Sequence, residues 1–130
     1  MTIELDHSIV SARSRDTSAR QLAQLLGVPS GPAAAGPFYA VYVNGGLTMD
    51  FIETDEDFPV QHFCFRVSEE EFDGILGRIQ AAGIDYRSNV RGPVDRQINT
   101  DYGGRMVYWN VPEGHQWEIL TVSYARPPRL

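Results

Sequence analysis

The stretch Pro59–Val67, PVQHFCFRV, alternates apolar and polar positions. Successive side chains on a strand point to opposite faces, so Phe63, Phe65 and Val67 share one side while His62, Cys64 and Arg66 share the other. The first side reads as core. The second is either the wet face of a sheet or the lining of a site. Residues 3–11, IELDHSIVS, also read as a strand, with Leu5, His7 and Ile9 on one face. The period then changes: Ala19, Leu22, Ala23, Leu25 and Leu26 recur at helical spacing and Gly27 supplies a stop, which predicts a helix over 16–26. VPSGPAAAGP reads as a loop, and FYAVYVN and LTMDFIE as two strands joined at Asn44-Gly45-Gly46, a hairpin signal.

The second half repeats this order. SEEEFDGILGRIQAAG predicts a helix over 69–82, opened by a capping box from Ser68 to Glu71, with Phe72, Ile75, Leu76 and Ile79 on one face and Gly83 at the end. IDYRSNV, RMVYWNV and QWEILTVSY read as further strands. His7 precedes Gly27 by 20 positions and His62 precedes Gly83 by 21. The chain therefore reads as one α+β domain built from a duplicated β-α-β-β(-β) unit. Module one spans about 1–57 and module two about 58–125, and the RPPRL tail at 126–130 reads as frayed.

Composition narrows the function classes. At 130 residues the chain fits one domain, and 42% hydrophobic with 22% charged residues is ordinary for a globular protein. No apolar run approaches the roughly 20 residues of a membrane span, and the N-terminus lacks a basic leader before an apolar segment, so no secretory signal is expected. A single cysteine, Cys64, rules out an internal disulfide framework and is compatible with a reducing cytoplasm. Net charge is −6, and all 11 basic residues are arginines. Such a chain, without a basic stripe, is a poor partner for nucleic acid or an anionic membrane.

Two histidines at matching positions of two repeats change the reading of the polar strand face. If the halves pack with pseudo-twofold symmetry, equivalent positions converge, and one object can touch both. A divalent metal held by two imidazoles normally takes a carboxylate as well, leaving open positions for substrate. Glu118 offers one: it sits mid-strand in GHQWEILTV, opposite in face to Trp117 and Ile119, a poor place for a charge without a cation. An arginine partner or an exposed sheet face would also account for it. Asp50, on the face of LTMDFIE opposite Leu47, Met49 and Phe51, is a possible fourth ligand or base, or a solvated strand residue.

These segments, with GGRMVYWNVPEGHQWEIL as the most specific piece, resemble the vicinal oxygen chelate superfamily, which includes glyoxalase I, bleomycin resistance proteins and extradiol dioxygenases. The match runs from about Ile3 to Tyr124, with Val111-Pro112-Glu113-Gly114-His115 standing where a D-P-D-G-H turn is usual. The resemblance implies paired βαβββ modules forming a cupped mixed sheet around a central cavity, often in a homodimer. It places a divalent metal (Fe, Mn, Zn, Ni or Mg) on His7, His62 and Glu118. His115 falls outside the ligand positions and is expected to cap or cover the rim.

On that reading the His62, Cys64, Arg66 face lines the cavity. Arg66, Arg105 and Tyr102 orient an anionic or carbonyl group, and Asp50 stands where glyoxalase I has a glutamate. The metal would chelate adjacent substrate oxygens and stabilise an enolate or oxyanion, in lyase, isomerase or dioxygenase chemistry. A thiol transferase acting on an epoxide antibiotic would use the same ligands, but its basic, potassium-binding site has no lysine here to build it. The alternative from a different class is a metal-free, bleomycin-resistance-like protein that binds a small molecule, with Phe38, Tyr39, Tyr42, Tyr108 and Trp109 stacking on a planar ligand.

Overall fold

Strand β1, His7–Ala12, turns Val10 and Ala12 inward, where both are fully buried, and leaves His7 and Ile9 on the exposed side. The computed structural model describes residues 2–127. These fall into two units, one running to Pro59 together with Pro112–Gly114, the other comprising Val60–Val111 and the chain from His115 onward. The last residues of the expected frayed tail, 128–130, lie outside the described residues.

In the first unit, α1 covers Arg15–Leu26, β2 Ser30–Pro32, β3 Tyr39–Asn44 and β4 Leu47–Glu53. The helix buries Ser18, Ala19, Leu22, Ala23 and Leu25, its apolar stripe, and stops at Gly27, whose φ of 74° is a left-handed conformation that glycine adopts without strain. The sheet order is β1-β4-β3-β2, with β1 parallel to β4 and the other pairs antiparallel. Two expectations are corrected. The first strand begins at His7 rather than Ile3, because the ladder with β4 runs out at His7 opposite Thr48, and Ile3 and Leu5 are exposed. The loop VPSGPAAAGP contains a short edge strand, β2, which tolerates Pro32 because an edge can forgo an N–H donor.

In the second unit, β5 covers His62–Arg66, α2 Glu69–Ala81, β6 Met106–Trp109 and β7 Gln116–Leu120. The capping box forms as expected: the Glu71 N–H donates to Ser68 Oγ at 3.0 Å and the Ser68 N–H to Glu71 Oε1 at 2.8 Å. Phe72, Ile75, Leu76 and Ile79 are buried, and each such side chain contributes about 1.5–3 kcal/mol by leaving water. The sheet order is β5-β7-β6, β5 parallel and β6 antiparallel to the central β7. On the face opposite Glu118, Trp117 stacks on Phe63, with centroids 4.9 Å apart.

IDYRSNV does not form the strand its composition suggests. It makes an isolated antiparallel bridge, Arg87 to Tyr108. The cause is local: the Asp95 carboxylate takes both the Ser88 N–H (2.9 Å) and the Ser88 hydroxyl, which turns the chain away from an extended path. The architecture is α+β, two modules of the βαβββ type, the second with its second strand reduced to that bridge.

Candidate metal-binding site

A row of three residues crosses the middle of the second sheet. Glu118 on β7 pairs in register with Cys64 on β5 and with Tyr108 on β6. All three project from the face opposite Trp117 and Ile119, as the alternation predicts. Glu118 is 0% exposed. A carboxylate so placed must find donors or take up a proton, and His62 and Tyr124 are among its partners, beside the Cys64 thiol and the Tyr108 hydroxyl. His62 Nε2 lies 2.8 Å from Oε1, and the Tyr124 hydroxyl donates at 2.9 Å to Oε1 and 3.0 Å to Oε2. No arginine is needed to account for it. The His62 side chain is 40% exposed, so one edge of the imidazole meets the carboxylate while the rest is accessible.

The neighbours feel that carboxylate. Cys64 reaches solvent, yet enough protein surrounds its sulfur that desolvation, reinforced by the Glu118 charge, pushes the thiol up to about 12. Desolvation also raises Tyr108 and Tyr124 above the ordinary tyrosine range, with Glu118 adding to both. The thiol and both phenols are therefore protonated donors at neutral pH.

In the first unit, His7 Nδ1 lies 2.8 Å from Asp6 Oδ2, and that hydrogen bond, with the Asp6 and Asp50 charges, raises the imidazole pKa. His7 and Asp50 border a cavity of about 550 Å³ whose wall includes Ala33–Gly36, Phe38, Ala40 and Tyr42. The register explains the grouping: Asp50 lies opposite Ile9 on β1 and Ala40 on β3, on the face that His7 and Ile9 share. Of the aromatics expected to stack on a ligand, Phe38 and Tyr42 line this cavity, while Tyr108, which flanks Glu118, is buried, as are Tyr39 and Trp109.

Other expected site residues are placed elsewhere. Arg105 is committed to α2: Nε donates to Glu69 Oε2 (3.0 Å), Nη1 to Asp73 Oδ1 (2.8 Å), and the guanidinium lies 4.3 Å from the centre of the Phe72 ring. These hydrogen bonds tie it to α2. Tyr102 is exposed and packs its ring 5.4 Å from that of Tyr124. Arg66 is exposed at the end of β5. His115 covers no rim. It is fully buried, its Nδ1 accepts the Gln61 N–H at 3.0 Å, and its ring meets Phe63 and Trp117 edge-on. Sequence reasoning missed Tyr124 and weighed Tyr108 only as a stacking surface. The signal available was that a mid-strand carboxylate needs donors, and that Tyr108 alternates in phase with Met106, whose face can be read from RMVYW.

Among the described residues, no three His, Cys, Asp or Glu side chains form a metal-binding group. Donor chemistry nonetheless fits a divalent ion: a desolvated carboxylate and an accessible imidazole whose Nε2 faces it are two of the three ligands such a centre requires.

No family profile matches the chain, and no curated protein does. Solved structures do. Oxidase ChaP-H1 is 42% identical, with 96% of this chain and 100% of that one covered and a TM-score of 0.88. Oxidase ChaP-H2 is 40% identical over 96% and 98%, with a TM-score of 0.89. More distantly, the fosfomycin resistance protein FosX of Listeria monocytogenes, in a variant complexed with Mn(II) and a dihydroxypropylphosphonic acid, is 18% identical over 95% of each chain, with a TM-score of 0.69, a likeness of fold. With two relatives at this identity spanning nearly its whole length, and with the paired modules described above, the chain belongs to the vicinal oxygen chelate superfamily.

Proposed function

We propose that the protein is a metal-dependent oxidising enzyme acting on a small, oxygen-bearing substrate. The observation that carries this reading is Glu118, wholly buried at the centre of β7 with the His62 imidazole 2.8 Å from its Oε1. Two donors are too few for a divalent ion, and the superfamily resemblance implies His7 as the third. The oxidases at 42% and 40% identity favour oxidation over the lyase, isomerase and thiol-transfer chemistries of the superfamily. A redox-active ion on two histidines and one carboxylate would supply Lewis acidity and open positions for substrate oxygens and dioxygen.

The chain's own residues would then do the following. Glu118 supplies negative charge where the surroundings are apolar and low in dielectric, so that charge acts at close to full strength. Tyr108 and Cys64 flank it as neutral groups and keep water from its sides. Asp50, bordering the cavity that His7 also borders, accepts a proton from the substrate. Tyr102 and Arg66, both exposed, meet the substrate's polar groups from the rim. Loading metal-free protein with Fe(II) and adding 4-nitrocatechol, a chromophoric vicinal diol, tests the reading. We expect an iron-dependent shift of its absorption and uptake of oxygen, both lost in H62A and E118A. No shift and no uptake with Fe(II) would remove the oxidase assignment.

The cavity of about 550 Å³ favours a second reading, a binding protein that needs no metal, because alanines and the rings of Phe38 and Tyr42 make much of its wall. Binding of a small aromatic probe that is equally tight in chelator and in metal, with no turnover, would select it.

A further inference from the structure

We propose that Tyr124 is a positioning residue for Glu118, anchoring the carboxylate so that the oxygen facing His62 is the one presented to a metal. The inference rests on the metal-centre reading above and adds to it a residue beyond the ligand set. Its basis is geometric. The Tyr124 hydroxyl lies 2.9 Å from Oε1 and 3.0 Å from Oε2, nearly equidistant, so it sits on the plane that bisects the carboxylate. From there it restrains rotation about the terminal bond. Oε1 retains a lone pair directed at His62 Nε2, 2.8 Å away. A metal replacing the shared proton would meet that oxygen first.

The surrounding chain holds the hydroxyl in place. After β7 ends at Leu120, the backbone bends through Thr121–Tyr124 and returns the ring to the face it has just left. The Ala125 N–H donates to Ser123 Oγ at 3.1 Å, which tightens that bend, and the Tyr102 ring backs the Tyr124 ring at a centroid distance of 5.4 Å. Tyr124 reaches both carboxylate oxygens, whereas the His62 imidazole reaches Oε1. Groups that orient a metal ligand in this way typically change metal affinity by about 10–100-fold when removed.

Mn(II) binding by calorimetry and the visible spectrum of the Co(II)-loaded protein test the inference, comparing Y124F, which keeps the ring, with Y124A, which does not. We expect both variants to weaken Mn(II) binding by about 10–100-fold, and both to alter the Co(II) bands. If Y124F binds Mn(II) as tightly as the parent, or if Y124A alone is impaired, the ring merely packs and the inference falls. Thermal unfolding in chelator supplies a reading that needs no metal. Y124F should lower Tm by roughly 2–8 °C in the parent and by much less in an E118L background, since the acceptor is then gone. Equal effects in both backgrounds would overturn the anchoring. A parent that binds no Mn(II) would overturn the metal reading instead, and the chelator cycle would still decide whether Tyr124 anchors Glu118.

Discussion

Glu118 illustrates how much a single position can carry. The alternation of QWEIL shows which way its side chain points, and the cost of burying a carboxylate shows that it must be answered. The answer, His62 with Tyr124, combines a partner on an adjacent strand with one six positions further along the chain. The first was legible in sequence, because both modules carry a histidine on their opening strand. The second was not, because the bend that returns Tyr124 to the face has no periodicity to read. Arg105, expected to orient a substrate group, is held by Glu69 and Asp73 on α2. Arg105→Ala should therefore lower stability by about 1 kcal/mol, from partly exposed ion pairs and the contact with Phe72. It should leave Mn(II) affinity within about twofold of the parent, well short of what loss of a ligand-orienting group does. Chemical denaturation and calorimetry read the two effects separately.

At the scale of elements, the helices were the most legible parts, since their stripes, caps and glycine stops are all local signals. The capping box at Ser68 and Glu71 is the clearest instance. Ser68→Ala should cost about 1 kcal/mol, seen as a lowered Tm. The box also predicts a pH dependence. The Ser68 backbone N–H and then its side chain hold the Glu71 carboxyl below its usual range. A group whose folded pKa is depressed contributes stability above its unfolded value, about 4.3 for glutamate, and loses it as pH falls through the folded one. Glu71→Ala should thus destabilise at pH 7, and the difference from the parent should shrink steadily below about pH 4. A difference that held constant down to pH 2 would contradict the box's charge. The strands were less legible wherever polar chemistry intervened: Ser88 and Asp95 turn IDYRSNV aside, and the edge strand Ser30–Pro32 hides in a stretch rich in proline and glycine.

Across the whole molecule, duplication is the organising fact. Each module gives an opening strand with an outward histidine, one helix, and a small mixed sheet. Each sheet ends in edge strands, β1 and β2 in the first and β5 in the second, and apolar side chains such as Ile9 are exposed. We therefore expect a homodimer, and sedimentation at micromolar concentration should give about twice the 14.5 kDa chain mass. A clean monomer would remove it.

The central proposal is that Glu118 and His62, with His7 as the third ligand that the resemblance implies, hold one divalent ion. Its most direct test is metal titration of chelator-stripped protein, followed by elemental analysis, on the parent and on H7A, H62A and E118A. The account predicts one ion per chain for the parent, stoichiometric binding lost in all three variants, and circular dichroism unchanged in the two histidine variants, whose side chains are exposed. A parent that retains no metal, or an H62A that binds it as tightly as the parent, would contradict the claim.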